Sequence, residues 1–314
     1  MRILFWGTPE FALPTLRALV GEAHDVVGVV TRPDRPAGRG RVVRPPPVKR
    51  FAEEEGLPVL QPLKPVGDAF LAEVRALGPE LSVVVAYGEI LRREVLDLPA
   101  RGSINLHASL LPALRGAAPI QRAIAQGHER TGVTVMRMVE KMDAGPILMQ
   151  VAEPIGEDET GSDLGARLSE IGAEVMIETL ALMEAGAVTE TPQDDAIATF
   201  APRIRREDAH IDWKLDATSI ARRMRAFDAV PGAWTMLDGV ELKVFRPRID
   251  DAGPPLSEPG AVLEMNESDP SCGMRVACDG GSIWVREVQP QGRRRMTTAA
   301  WLRGRKLSRP ARLA

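Results

Sequence analysis

At 314 residues, 44% hydrophobic and 26% charged, the chain is long enough for two ordinary domains and has the composition of a soluble globular protein. No apolar run approaches the roughly 20 residues of a membrane span, and the opening MRILFWG is broken too soon for a secretory signal, so a cytoplasmic protein is expected. The two cysteines, Cys272 and Cys278, have no clustered histidines, which leaves a zinc site without ligands and a disulfide framework without members; no metal is expected.

Taken in chain order, Ile3-Leu4-Phe5-Trp6 reads as a short buried strand ending at Gly7. A helix through Leu13, Leu16 and Leu19 follows, then a second strand at Val26–Val30. No G-x-G-x-x-G follows the first strand, which disfavours a dehydrogenase. Between Arg32 and Arg50, seven basic residues (Arg32, Arg35, Arg39, Arg41, Arg44, Lys49, Arg50) stand against Asp34 alone. The run Leu81–Ala86 is continuously apolar, as in the middle of a parallel sheet covered on both faces. Further strands are expected at 103–106, 132–138 and 147–151, with helices at 117–126 and 163–185. The pattern is that of an α/β domain with an open, doubly wound, mostly parallel sheet, whose ligands bind beyond the carboxyl ends of the strands.

Near residue 190 the pattern changes. TETPQDDAIATFAPRIRRED is polar, contains proline and has no period, which suits a surface linker over 191–206 between a domain of residues 1–190 and another of 207–314. The second domain opens with an amphipathic helix bearing Ile220, Met224 and Phe227. Short β-like runs follow at 233–236, 240–245, 260–263, 273–277 and 282–288, separated by glycine turns. They predict a small β-barrel of the oligonucleotide-binding (OB-like) type, with a sandwich as the other arrangement such strands adopt. The tail is again basic, with Arg293, Arg294, Arg295, Arg303, Arg305, Lys306, Arg309 and Arg312. Net charge is −3, so two basic stretches far apart in sequence favour a polyanion only if folding brings them to one face; two solvated surfaces are the blander reading.

The stretch SINLHASLLPALRGAAPI carries the chemistry. Asn105 and His107 fall where a strand meets a loop, and alternation points both side chains the same way. An amide there can donate to a carbonyl oxygen becoming an oxyanion, and an imidazole can manage a proton near neutral pH. Alone, such a pair suits a structural role as well. Asp143, in VEKMDAGPIL, offers a carboxylate to orient and charge His107, or else a turn aspartate binding its own backbone.

The set in this order (GTPEFALPTL, TRPDRPAGRGR, VVAYGEIL, Asn105-x-His107-x-Ser109-Leu110-Leu111-Pro112, Arg115-Gly116-Ala117-Ala118-Pro119-Ile120, Thr131-Gly132-Val133-Thr134, Asp143-Ala144-Gly145, IDW and RAF) spans essentially the whole chain. It closely resembles the formyltransferases that use 10-formyltetrahydrofolate, and within them the branch acting on methionyl-tRNA. The resemblance implies a Rossmann-like catalytic domain in which Asn105, His107 and Asp143 are catalytic. It implies that Tyr87, Gly88, Ile90, Leu91, Ser109, Leu110, Leu111, Pro112 and Val139 line the folate site, and that a loop with Arg35, Arg39 and Arg41 meets the acceptor end of an initiator methionyl-tRNA. Arg293, Arg294 and Arg295 of the barrel are expected to follow the tRNA backbone, and the protein to act as a monomer.

Relatives are separated by substrate. A glycinamide-ribonucleotide substrate is disfavoured because Gly7-Thr8-Pro9-Glu10 replaces a phosphate-gripping turn with a proline lacking an N–H and a repelling glutamate. A sugar-nucleotide formyltransferase is the enzymatic alternative. A noncatalytic RNA-binding protein accounts for the charges but leaves Asn105, His107 and Asp143 without a task.

Overall fold

The computed structural model describes residues 1–37, 42–250, 253, 255–269, 271–304 and 310–314. The chain divides into two units, one of residues 1–119, 130–154 and 165–202, the other of residues 120–129, 155–164 and 203–314. Among the described residues no helix is long and apolar enough to cross a membrane.

The first unit is built on a seven-stranded sheet. Its elements run β1 (Arg2–Gly7), α1 (Leu13–Gly21), β2 (Asp25–Val30), β3 (Arg35–Ala37), β4 (Val42–Arg44), α2 (Pro47–Glu54), β5 (Val59–Leu60), α3 (Asp68–Leu77), β6 (Leu81–Val85), α4 (Arg93–Leu96) and β7 (Ser103–His107). Then come β8 (Arg130–Arg137), β9 (Ile147–Pro154) and α6 (Gly161–Glu184), whose first residues count with the second unit, as does nearly all of α5 (Pro119–Gln126), which precedes β8 in the chain. Strand order is β5-β2-β1-β6-β7-β8-β9. The first five strands are parallel and β8 and β9 antiparallel, so the sheet is mixed and Rossmann-like, mostly parallel as its apolar runs predict. All five residues of β6 are buried, which is why that run carries no alternation. Short β3 and β4, which no apolar pattern predicts, form a hairpin of their own within the basic stretch.

Two features of this sheet position the carboxyl end of β7. Leu106 lies between Asn105 and His107 on β7 and points to the opposite face, where α6 crosses it at Gly172. A Cβ there would come within 2.5 Å of a Leu106 methyl, so any larger residue would displace the Leu106 side chain or the helix. And β8 pairs antiparallel along β7, from Thr134 opposite His107 to Arg137 opposite Ile104, which holds this end from the side; the β8–β9 connection then leaves from beside the amino end of β7.

The segment expected as a surface linker is not draped free. Thr191 exchanges backbone hydrogen bonds with Ile147 at 2.8 and 2.9 Å, and Thr199 and Ala201 pair with the Pro112–Ala118 stretch. Residues 191–202 thus belong to the first unit. The segment lacks periodicity because it touches the sheet only at Thr191, opposite the first residue of β9, and its further backbone partners lie in the loop after β7.

In the second unit, α7 (Ala217–Ala226) is capped by Asp216, which accepts from Ser219 N–H at 2.9 Å, and it buries Ile220 and Met224, with Phe227 beyond its end. The strands are β10 (Trp234–Leu237), β11 (Val240–Asp250), β12 (Val262–Met265), β13 (Met274–Cys278), β14 (Gly281–Pro290) and β15 (Met296–Thr297), followed by α8 (Thr298–Arg303). They form an antiparallel sheet in the order β10-β11-β14-β13-β12, with β15 on β14. Residues 311–314, which the sequence marks only as part of a basic tail, stitch its two edges. Met236 and Ala314 exchange backbone bonds at 2.8 and 2.9 Å on the β10 side, while Val262 N–H reaches Ala311 O at 3.0 Å and Leu313 N–H reaches Gly260 O at 2.8 Å on the β12 side. An antiparallel sheet closed this way leaves no long unpaired edge.

Leu313 is buried at this seam. Replacing it with alanine is expected to lower unfolding free energy by about 2–5 kcal/mol, as for buried leucines generally; a urea midpoint indistinguishable from the parent chain contradicts the closure.

Candidate active site

At the carboxyl end of β7 His107 is 6% exposed, and Asn105 is half-buried two residues before it on the same face. His107 Nε2 lies 3.0 Å from the Leu114 carbonyl. A carbonyl only accepts, so this nitrogen carries the hydrogen and donates. The other nitrogen, Nδ1, faces Asp143 Oδ2 at 3.8 Å, beyond direct hydrogen-bond range and open to a third group touching both. The structure therefore brings Asn105, His107 and Asp143 to one place.

Asp143 is held by backbone geometry of an uncommon kind. Its own φ is +50° and that of Leu114 is +60°. Its Oδ2 accepts the Gly116 N–H at 2.8 Å. Gly116 has φ +123°, and a Cβ on it would lie 2.7 Å from the Ala201 carbonyl, so only glycine brings that N–H to the carboxylate.

Arg115, between these two contact residues, belongs to one of the family motifs, yet nothing in the sequence assigns its guanidinium a role. It is 2% exposed. Its Nε and Nη2 donate to Gln193 Oε1 at 3.1 and 2.8 Å, and its Nη1 to Asp195 Oδ1 at 2.6 Å. Gln193 Nε2 in turn donates to the carbonyls of Asp143 at 2.9 Å and Gly145 at 2.7 Å. Further bonds zip the same residues to the trailing segment: Leu114 N–H to the Thr199 side-chain Oγ1, and, backbone to backbone, Arg115 N–H to Thr199 O and Ala201 N–H to Arg115 O. Lys141 also pairs with Asp195, and Arg137 with Glu190. Asp195 is held below the usual carboxylate range by hydrogen bonds from Lys141 and Arg115. The signal that could have found this network is a lone arginine in the nearly uncharged run SINLHASLLPALRGAAPI, since a cation in apolar surroundings needs partners.

The expected folate-site residues divide by exposure. Tyr87 and Leu91 are core side chains; the Tyr87 ring meets Trp6 edge-on at 5.2 Å and packs with Leu4, Val84 and Val95. Of the expected residues in that loop, Gly88 and Ile90 are exposed. Ser109 and Leu111 are buried within their own turn, Ser109 donating to Ala113 O at 2.6 Å, whereas Leu110 and Pro112 are half-exposed and Val139 is exposed. The Tyr87 hydroxyl is buried without a hydrogen-bond partner.

Charge also looks different once folded. Of the basic stretch, Arg32 pairs with Glu89, Lys49 with Asp34 and Glu53, and Arg50 with Glu10, while Arg35 and Arg44 are exposed. Arg39 and Arg41 lie outside the described residues. Arg293 and Arg294 are exposed, but Arg295 is committed to protein: it forks onto buried Asp228 at 2.7 and 3.0 Å, bonds Glu287 at 2.5 Å and lies over the Phe245 ring at 4.1 Å. That corrects the expectation of three equivalent phosphate contacts, because a guanidinium so engaged has no fork left for phosphate. Among the described residues no group of His, Cys, Asp and Glu side chains could hold a metal ion.

Comparison with known proteins gives a family profile described as "Formyl transferase" matching residues 1–180, and one described as "Formyl transferase, C-terminal domain" matching residues 203–306. The methionyl-tRNA formyltransferase of Geobacter sulfurreducens is 45% identical over 313 residues, 100% of this chain and 96% of its own. That of Methylococcus capsulatus is 46% identical over 308 residues, 98% of each chain. Among solved structures, an N-formyltransferase from Helicobacter canadensis in complex with folinic acid and dTDP-3-aminofucose aligns with a TM-score of 0.69 at 16% identity, over 92% of this chain and 99% of its own. At that identity the likeness is one of fold.

Tyr87 is the chain's single tyrosine, which makes its environment measurable. Burial, with the Glu89 charge beside it, pushes its hydroxyl up to about 12. Between the ordinary tyrosine value of about 10 and that midpoint the native chain binds a proton the unfolded chain has lost, so stability falls as pH rises through this window. Tyrosinate absorbance in the native protein is expected to appear with its midpoint near 12; ionisation at the ordinary value contradicts the buried placement.

Proposed function

The chain belongs to the formyl transferase family, and on that premise we propose that it transfers the formyl group of 10-formyltetrahydrofolate to the α-amino group of initiator methionyl-tRNA. The observation that carries this reading is the 45% identity to a protein named methionyl-tRNA formyltransferase over the full chain, both units included. The geometry supports it from below.

In the proposed reaction the α-amino nitrogen attacks the formyl carbon, and the negative charge collects on the formyl oxygen. The Asn105 amide donates to that oxygen. His107 in its protonated form donates to the same oxygen from Nδ1, since the Nε2 hydrogen is given to Leu114 O, and the fixed Nε2 bond sets the ring orientation. As the bond from carbon to N10 of the folate breaks, the proton lost by the attacking amine replaces the formyl group on N10. Asp143, facing Nδ1 across 3.8 Å, is the carboxylate placed to pass that proton with the help of a water. No covalent enzyme intermediate is required: Ser109, the serine of the motif, spends its hydroxyl on Ala113 O.

The folate substrate is read as lying along Gly88, Ile90, Leu110, Pro112 and Val139, with Tyr87, Leu91, Ser109 and Leu111 supporting that wall from beneath. Arg35, Arg39 and Arg41 are read as meeting the acceptor end of the tRNA, and Arg293 and Arg294 as following its backbone from a second domain that begins after residue 202. We read the enzyme as a cytoplasmic monomer, as a translation substrate requires no membrane and the proposed groups all come from one chain.

The deciding assay offers the protein 10-formyltetrahydrofolate with either methionyl-tRNA or a dTDP-amino sugar; formylation of the sugar alone selects the sugar-nucleotide alternative. His107→Ala and Asp143→Asn are each expected to lower kcat on the order of a hundredfold or more with tRNA binding little changed, and normal turnover in either removes the mechanism. Arg294→Ala is expected to flatten the dependence of log K on log salt by about one unit, while Arg295→Ala lowers the melting temperature instead; a reversed pattern in salt titrations and melts reassigns the two residues.

A further inference from the structure

Three consecutive residues hold both of the site's titratable groups. Leu114 supplies the carbonyl for His107 Nε2, Gly116 supplies the N–H for Asp143 Oδ2, and Arg115 between them reaches the Asp143 backbone through Gln193. Asp143 is therefore gripped at its carboxylate and at its carbonyl by neighbours on one short stretch.

Gln193, from the trailing segment 191–202, bonds the backbone of the Asp143 turn directly, while Asp195 of the same segment reaches that turn only at the Lys141 side chain. Its amide is fully used. The oxygen accepts two N–H groups of Arg115, which cannot accept, and the nitrogen donates to two carbonyls, which cannot donate. This pattern permits one orientation of the amide and no flip. The turn it holds contains a non-glycine residue at φ +50°, a conformation that persists only where its surroundings impose it.

Resting on the formyl-transfer reading, we propose that Gln193 is a positioning residue for Asp143, and that residues 191–201 are part of the catalytic apparatus rather than a connector between domains. Arg115 acts through it, fixing the amide from the side away from the turn. Gln193 itself does not touch substrate.

Glutamate is the discriminating replacement. It keeps an oxygen for Arg115 and adds charge attraction to it, but sets a second oxygen, with no hydrogen to donate, against the carbonyls of Asp143 and Gly145. The anchorage to Arg115 survives while the hold on the turn is lost. In the full-length protein Gln193→Glu is expected to lower kcat on the order of ten- to a hundredfold, the scale of a misplaced reacting group. KM for 10-formyltetrahydrofolate and for methionyl-tRNA should stay within about twofold, and the kcat–pH profile should shift, since it reports the His107–Asp143 pair. A double-mutant cycle isolates the route: if Gln193 works only by placing the Asp143 carboxylate, adding Gln193→Glu to Asp143→Asn costs little more than Asp143→Asn alone.

Unchanged kcat and pH profile in a folded Gln193→Glu protein overturn the proposal, and so does full additivity with Asp143→Asn. Should Gln193→Glu fail to fold, Gln193→Ala is read by the same kinetics and the same cycle. A parent chain that formylates no methionyl-tRNA overturns the transfer reading itself, whereas an active parent with indifferent Gln193 variants overturns the positioning role alone.

Discussion

A guanidinium at 2% exposure is tolerable only if its N–H groups meet acceptors, because stripping water from an unpaired cation costs several kcal/mol. Arg115 satisfies that condition with Gln193 and Asp195, residues almost eighty positions later in the chain. The pairing obliges the 191–202 segment to lie behind the Leu114–Gly116 stretch, and those residues in turn fix His107 and Asp143. The order of dependence runs from one buried charge to a returning strand of backbone, and from there to the two side chains proposed to move the proton.

The sheet supplies the other half of the geometry. Parallel strands β1, β2, β6 and β7 leave their carboxyl ends on one edge, where α/β folds place their ligands. Antiparallel β8 carries the chain from that edge back along β7, and Asp143, on the β8–β9 connection that follows, reaches His107 Nδ1 to 3.8 Å from a loop rather than from a strand end. Gly172 lets α6 close on Leu106 from the far face, so Asn105 and His107 project from a strand that is backed across the sheet. A site carried on such a strand, with its loops cross-braced, loses little freedom when substrate arrives.

Electrostatics follows the same logic of partners distant in sequence. Counting charges along Arg32–Arg50 finds one acidic residue, yet in the fold Glu89, Glu53 and Glu10 come to three of those cations. The Arg293-Arg294-Arg295 run divides likewise, because Asp228 and Glu287 claim its last member. A basic run is thus an upper bound on the cations offered to a polyanion, and the fold decides how many remain.

Much of this was legible in the residues. The apolar runs of β1, β2 and β6 set the parallel sheet, since strands buried on both faces need no polar side, and period-two alternation put Asn105 and His107 on one face. The ordered motifs pointed to the family because the groups they carry sit at strand ends and turns whose conformations few sequences meet, as Gly116 and Asp143 illustrate. What only tertiary structure decided were contacts between residues far apart with no local pattern: Gln193 on the Asp143 turn, residues 311–314 across the barrel edges, Arg295 on Asp228, and Tyr87 turned into the core beside Trp6. Local sequence records period and backbone preference because those act between near neighbours. A buried charge or an unpaired edge records only that a partner is needed, and which residue answers depends on the path of the whole chain.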